Sequence, residues 1–324
     1  MSKIEFAKQT DLINVSSQRP NSYRSFIPSI FISAALPLRD VNKEVFDRKY
    51  NNITLHLTSP NKVPYGKYGR LLLSILTTHA VIEKNKPNAD GTITIKYDTL
   101  QALLDEMQLP KQRSGEIKEQ LNRFKSATFT YDGIEETIVR TQKELWADMP
   151  ESKTNYLRIK KFQTGNIMFI DSLQYLELDD GFSDKRSIAF TITLSAKFVD
   201  LCKNHSVPID YSVYKEISSA LGKDLYAWLV YRNNSLNQDG LYIPRASMVA
   251  QFMPPTSIAQ KEQQERANFR YIVEQLMQIK NKYYTELKFA VDRDYLGLHL
   301  FKSPQIMAPK DTRYILVTGG MQKP

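Results

Sequence analysis

An order of predicted elements that occurs twice along the chain constrains the fold more than any other feature. In the first half, apolar spacing predicts a largely buried helix over residues 68–83, an alternating strand over 92–97, and a helix from its expected cap Asp98 to residue 107. Pro110 then breaks the chain before a basic helix over residues 113–126. Strand-like segments follow at residues 127–131, 137–141, 156–162, 166–169 and 188–194, with a polar loop over 148–155.

A related order returns after Pro208. The predicted elements are helices over residues 211–220 and 222–233, a strand over 241–243, a helix over 245–252, a long helix over 260–282, and strands over 285–291 and 295–301. Asp90-Gly91 and Asp239-Gly240 are predicted turns at equivalent places in the two halves. The chain is therefore predicted to be an internal duplication of architecture, although its two halves show no clear sequence repeat.

Helix, strand, helix, basic helix and hairpin is the order of a winged helix, a variant of the helix-turn-helix. The predicted fold is therefore α+β, with two tandem winged-helix domains. We expect an N-terminal arm over residues 1–60, winged-helix domains over 61–206 and 207–310, and a C-terminal tail over 311–324. Residues 133–165 are interpreted as a lengthened wing or an insertion. A predicted helix over 195–205 runs directly into Val207-Pro208, which makes the connection between the domains short.

The basic helix of the first half has two different faces. Ile117, Leu121 and Phe124 recur with helical spacing and predict the buried side. At 100° per residue, the opposite side carries Gly115, Lys118, Glu119, Asn122 and Ser126, with Arg123 and Lys125 on the flanks. Residues 111–126 contain five basic and two acidic residues. This face is therefore polar with an excess of positive charge.

The long helix of the second half has a matching design. Its apolar stripe consists of Phe269, Ile272, Val273, Leu276 and Ile279. Gln263, Arg270 and Glu274 are predicted to point outward, with Arg266 to one side. Arg293 lies in the predicted turn of the second wing.

The charge of the chain favours a polyanionic partner. Lys and Arg number 44 against 35 Asp and Glu, which gives a net charge of +9. A basic helix between a short helix and a hairpin occupies the position from which a helix enters the major groove of DNA. The residues that we expect to contact double-stranded DNA are Arg113, Ser114, Lys118, Asn122, Arg123, Lys125, Gln263, Arg266, Arg270 and Arg293.

Catalytic, metal-binding and membrane functions find no support in the sequence. The single Cys202 and four scattered His give no zinc pattern, and no Gly-x4-Gly-Lys-Ser/Thr loop is present. We therefore expect neither an enzyme nor a metal or other cofactor. No apolar segment is long enough to cross a bilayer, and the first 15 residues contain four charges, unlike a signal peptide. A cytoplasmic protein without membrane partners is expected.

Other interpretations of the two basic helices remain open at this point. Each basic helix by itself is also compatible with a solvated surface helix. Two winged helices can equally form a transcription regulator, or a scaffold that binds protein instead of DNA. Salt-sensitive affinity for duplex DNA separates the protein-binding scaffold from a DNA-binding function.

Several sequence segments resemble the RepA-type family of plasmid replication initiators. These segments are Val63-Pro-Tyr-Gly66, Arg70-Leu-Leu-Leu73, Thr77-Thr-His-Ala80, Ser114-Gly115, Glu119-Gln-Leu-Asn-Arg-Phe124, Val207-Pro-Ile-Asp210, Asp224-Leu-Tyr-Ala-Trp-Leu229 and Tyr231-Arg232. Each segment alone is weak, but their combination in this order is specific. They span about residues 63–232.

The resemblance implies a bacterial protein that binds repeated sites at a plasmid origin, opens or marks the origin, and recruits host replication proteins such as a helicase. It also implies a homodimer as a second state, because many initiators with two winged helices exist as repressing dimers and initiating monomers.

Overall fold

The computed structural model describes residues 24–50, 53–82, 85–140, 156–178, 186–237, 239–254 and 261–304. The predicted polar loop over 148–155 and the C-terminal tail over 311–324 lie outside this part of the chain. The first described elements fall within the predicted N-terminal arm. They are strand β1 (Arg24–Pro28), the short helix α1 (Ser29–Ser33), and strands β2 (Val45–Tyr50) and β3 (Ile53–Thr58).

The first half contains the predicted series of helices. Helix α2 (Gly66–Val81) is buried around most of its circumference, as its apolar pattern predicts. Strand β4 (Ile93–Tyr97), helix α3 (Leu100–Glu106) and helix α4 (Ser114–Ser126) follow. The predicted cap of α3 is wrong by one residue: the hydroxyl of Thr99, not Asp98, accepts a hydrogen bond from the backbone nitrogen of Ala102 at 3.1 Å.

Four strands then form parts of two separate sheets. Strands β5 (Thr128–Arg140) and β6 (Tyr156–Met168) pair along their length and join β2 and β3 in a sheet of order β2-β3-β5-β6. Strands β7 (Ile170–Leu178) and β8 (Arg186–Leu194) form a second hairpin, which joins β4 in the order β4-β8-β7. The β5–β6 hairpin, which contains the predicted wing or insertion over residues 133–165, therefore belongs to a sheet separate from the β7–β8 hairpin. Strand β7 was not predicted from the sequence.

The connection between the two halves is itself a paired strand. Helix α5 (Ala196–Asn204) leads into strand β9 (Ser206–Asp210), which pairs antiparallel with β1. The backbone nitrogen of Phe26 donates to the hydroxyl of Thr78 on α2 at 3.1 Å. The segment that precedes the first half thus packs in the centre of the structure.

The second half repeats the order of the first. Its elements are helices α6 (Tyr211–Glu216) and α7 (Ala220–Ser235), strand β10 (Leu241–Pro244), helices α8 (Arg245–Phe252) and α9 (Lys261–Lys282), and strands β11 (Phe289–Val291) and β12 (Gly297–Leu300). The predicted helix over 211–220 is too long, because Ser219 caps a new helix by accepting from the backbone nitrogen of Gly222. The predicted last two strands are also too long, since a turn joins the nitrogen of Leu287 to the oxygen of Tyr284.

The two halves share one sheet topology. In each, the strand that follows the core helix pairs with the last strand of the hairpin, which gives the orders β4-β8-β7 and β10-β12-β11. Gly91 and Gly240 in the two predicted Asp-Gly turns have positive φ values of 82° and 77°. Helices α4 and α9 stand at the same place in this order, after a short helix and before strands. All strand pairs are antiparallel among the described residues, in agreement with an α+β fold.

The hydrophobic core is continuous from the first half to the second. Phe169, which follows β6, packs its ring against Phe31, Phe124, Phe129 and Phe198, with centroid distances of 4.7 to 5.5 Å. Through these contacts α1, α4, β5 and α5 share one aromatic cluster. The inner side of α4 is therefore fixed by packing, and its outer side is left to solvent.

Candidate nucleic-acid interface

Helix α4 presents a polar face because its apolar residues lie on one side only. Ile117, Leu121 and Phe124 are fully buried against the core. Lys118, Asn122 and Lys125 are exposed on the other side, as the helical wheel predicts. A Cβ atom added at Gly115 would meet no atom within 4 Å, so the first turn of the helix is open to a large partner.

The start of α4 adds a further positive charge. A 3-10 turn over Lys111–Arg113 follows Pro110 and leads into the helix, and Ser114 is half-buried there. The Arg113 guanidinium donates to Glu116 at 2.9 Å, and both side chains are exposed. Solvent screens such a pair strongly, so Arg113 can exchange this carboxylate for a phosphate at little cost.

Arg123 differs from its predicted position on the exposed flank. It is 94% buried: its guanidinium donates to Asp40 at 2.8 and 3.1 Å, to Glu119 at 2.7 Å and to the carbonyl of Val63 at 3.0 Å. It also lies over the ring of Tyr65, 4.6 Å from the centroid. The hydrogen bonds from Arg123 hold the pKa of Asp40 below its ordinary value. The N–H donors of Arg123 are thus bound to groups of the protein itself, and we no longer expect this residue to contact a phosphate.

A cleft of about 410 Å³ beside α4 was not anticipated from the sequence. Asn42 and Lys62 line it together with Asn122 and Arg123. Both Asn42 and Lys62 have a positive φ, at 52° and 67°. Asn is a common residue in that conformation, but nothing in the periodicity of the sequence places either residue next to α4.

Helix α9 carries its polar residues in the same way. Phe269, Ile272 and Leu276 are buried against α7 and α8, and Gln263, Arg266 and Arg270 are exposed. The Arg270 guanidinium lies over the ring of Tyr295, 5.6 Å from the centroid. Tyr295 belongs to the turn between β11 and β12, so the helix and this hairpin meet at Arg270.

The turn between β11 and β12 is polar and charged. Arg293 and Asp294 are exposed there, and Asp292 lies 3.3 Å from Nε2 of His299. The corresponding turn of the first half, between β7 and β8, falls at residues 179–185, outside the described residues. Arg293 is therefore the one expected contact that the structure places in a hairpin turn.

The expected contacts form two groups, one in each half. The first consists of Arg113, Ser114, Lys118, Asn122 and Lys125, and the second of Gln263, Arg266, Arg270 and Arg293. Acidic residues also line both helices, with Glu119 exposed on α4 and Glu262 and Glu274 exposed on α9. The surface is therefore mixed in charge at each helix, and the excess of positive charge is local.

The described part of the chain holds one thiol and no cluster of metal ligands. No three His, Cys, Asp or Glu residues in it come together as metal ligands would. Cys202 is fully buried, and burial raises the pKa of its thiol far above its ordinary value. No helix in this part is long and apolar enough to span a membrane.

Comparison with known proteins identifies one family and several similar solved structures, of which two are described. A family model described as plasmid encoded RepA protein matches residues 63–243, more than half of the chain. Two crystal structures of domains 2 and 3 of RctB, one a selenomethionine derivative, are similar over 85% and 84% of this chain and 96% of each of theirs, with 8% and 10% identity and TM-scores of 0.46 and 0.43. No curated protein sequence matches the chain.

Proposed function

Because the chain belongs to the family of plasmid-encoded RepA proteins, we propose that it initiates plasmid replication by binding repeated double-stranded sites at the origin. The observation that carries this proposal is the shared topology of its two halves. Each half has a helix with an exposed polar face at the same place, after a short helix and before a hairpin.

We interpret both halves as winged helices, with α4 and α9 as the reading helices and β7–β8 and β11–β12 as the wings. In this arrangement the second of two successive helices lies in the major groove, which is about 12 Å wide and admits one helix. The exposure of Lys118 and Asn122 on α4 and of Gln263 and Arg270 on α9 supports this interpretation. The wings then lie near the phosphates beside the groove.

The exposed residues divide by chemistry into two roles. Arg and Lys on helix flanks and in turns meet phosphates, which fixes the protein on the duplex without reading its sequence. We assign Arg113, Lys118, Lys125, Arg266 and Arg293 to this role, with the hydroxyl of Ser114 as a further phosphate ligand. Asn122 and Gln263 are suited to adenine and Arg270 to guanine, because their donors and acceptors match those base edges in the major groove.

The same proposal includes the partners and the place of action. The protein acts in the bacterial cytoplasm without catalysis of its own and without a cofactor, and host replication proteins such as a helicase join it on the DNA. A homodimer is its second state. The buried Cys202 supports the absence of thiol chemistry.

Selection of duplexes from a random-sequence library by the purified chain tests the proposal. We expect one enriched site, with affinity that falls steeply with salt, by about 0.9 in log affinity for each phosphate neutralised. A plasmid that carries the gene and its flanking DNA should replicate, and the same plasmid without the gene should not. No enriched site and no salt dependence would indicate a protein-binding scaffold, and binding without replication would indicate a transcription regulator.

A further inference from the structure

Arg270 is held by the hairpin that follows its own helix. Its guanidinium lies over the face of the Tyr295 ring, 5.6 Å from the centroid, within the range of a cation–π contact. The same ring meets the fully buried Phe269 edge to face, with centroids 6.4 Å apart. Tyr295 therefore stands between the core of the second half and an exposed arginine.

The turn that carries Tyr295 is anchored to the two helices beside it. Arg245, the first residue of α8, donates from Nε to Glu265 on α9 at 2.8 Å, and both side chains are mostly buried. Its backbone nitrogen donates to the carbonyl of Leu296 at 2.8 Å, and its guanidinium contacts the carbonyl of Tyr295 at 3.4 Å. Arg245 thus fixes the position of the turn relative to the N-terminal half of α9.

The backbone conformation of Tyr295 is unusual for a bulky residue. Its φ is 54°, in the left-handed region where Gly and Asn are favoured and a bulky residue is unusual. Such a conformation persists only where the surrounding structure holds it. The contacts of the ring with Phe269 and Arg270 are among the interactions that hold this turn.

We infer that Tyr295 is a positioning residue for Arg270, which makes the second hairpin a determinant of sequence specificity without any contact of its own with a base. This inference rests on the proposed DNA-binding function and deepens it. An arginine side chain is long and flexible, and each rotamer lost on binding lowers affinity. A guanidinium held over a ring by a cation–π contact keeps its N–H donors available for a guanine.

The test uses the full chain and the duplex that the wild-type protein selects from the random library. Tyr295→Asn removes the ring and keeps a residue that accepts the left-handed backbone, and Tyr295→Phe keeps the ring. Tyr271→Ala is the matched control, because Tyr271 is an exposed tyrosine of α9 with 41% exposure. Dissociation constants are measured by fluorescence anisotropy on the selected duplex, on single-base variants of it and on a random duplex, and denaturation curves report the fold.

We expect Tyr295→Asn to reduce discrimination at a single base position by about twofold to fivefold, in line with an exposed cation–π contact. Binding to random duplex should not change, Tyr295→Phe should restore discrimination, and Tyr271→Ala should have no effect. In an Arg270→Ala background, Tyr295→Asn should cause no further loss at that position, because it acts through Arg270.

Two results would overturn the inference alone, and a third would overturn the proposed function as well. Unchanged discrimination in Tyr295→Asn would show that the ring does not position Arg270. A further loss in the Arg270→Ala background would show that Tyr295 acts by another route. If the wild-type chain itself fails to discriminate any duplex from random DNA, the proposed function is wrong and the inference falls with it.

Discussion

Arg70 on α2 and Asp224 on α7 form a bidentate ion pair in the centre of the protein. Nε and Nη2 of the arginine donate to the two carboxylate oxygens at 2.6 and 2.7 Å, and both residues are buried. The three remaining donors of the guanidinium bind the carbonyls of Leu36, Pro37 and Gly66. Helix α4 packs on α2, and helix α9 packs on α7. The ion pair therefore links the two helices on which the proposed reading helices pack.

The first prediction is that Arg70→Met destabilises the protein by about 3–5 kcal/mol, because it leaves the carboxylate of Asp224 buried without its partner. Denaturant unfolding followed by circular dichroism measures the loss. Arg113→Met is the matched control: it breaks an exposed pair with Glu116 and should leave the midpoint nearly unchanged. Equal midpoints for Arg70→Met and wild type would contradict this account of the ion pair.

The second prediction concerns the spacing of the DNA site. If both reading helices bind one face of the duplex, their half-sites should have centres about 10 to 10.5 base pairs apart, and one protomer should cover about 20 base pairs. The site needs no palindrome, since two different helices read it. An insertion of about half a turn between the half-sites should remove most specific affinity, and an insertion of a full turn should cost less.

Band-shift titration of monomeric protein on these duplexes is the measurement. If half-turn insertions leave binding unchanged, only one half of the protein reads DNA, and the polar face of α4 is then a solvated or protein-contacting surface.

The third prediction separates the bases read by the two helices. Asn122→Ala should cost about 1–3 kcal/mol on the selected duplex and relax specificity in one half-site, and Arg270→Ala should do the same in the other half-site. Repeated selection with each variant shows which base positions lose their preference. Loss of preference in the same half-site for both variants would refute the assignment of α4 and α9 to separate grooves.

The fourth prediction compares Arg123 with its exposed neighbour Lys125. Arg123→Ala should lower the free energy of unfolding by about 1–3 kcal/mol, because the buried hydrogen bond to Val63 and the partly buried one to Asp40 are lost. It should leave the salt dependence of DNA binding unchanged. Lys125→Ala should reduce the slope of log affinity against log salt by about 0.9 and preserve stability. The reverse pattern would return Arg123 to the DNA contacts.

The fifth prediction is a loss of stability at alkaline pH that depends on Tyr284. Burial raises the pKa of Tyr284 to about 12 from its ordinary value of 10.0. The unfolded chain therefore releases this proton first, so the contribution of Tyr284 is complete below pH 10 and disappears as pH rises toward 12. Urea unfolding between pH 9 and 12 should show a weaker decline for Tyr284→Phe than for wild type. Parallel curves would show that the hydroxyl is not protected in the folded state.

The sequence alone predicts the helices that have one apolar side. Apolar spacing places α4 and α9 to within a few residues, because burial of one face imposes a period of 3.6 residues on the sequence itself. The spacing of apolar residues does not predict strand β7. An irregularity in its pairing with β8 between Ile170 and Ser172 interrupts the alternation by which a strand is recognised.

Neighbouring residues are therefore enough to predict most of the elements, the family and the polar faces of the two helices. Which charged residues remain exposed on those faces depends on the packing of distant segments. The helical wheel gives the direction of Arg123 but not the presence of Asp40, 83 residues away, and Arg70 finds Asp224 across 154 residues. Similarly, the β11–β12 hairpin brings the ring of Tyr295 next to the guanidinium of Arg270. Such contacts depend on how distant segments pack together, and the spacing of apolar residues within one helix or strand does not reveal them.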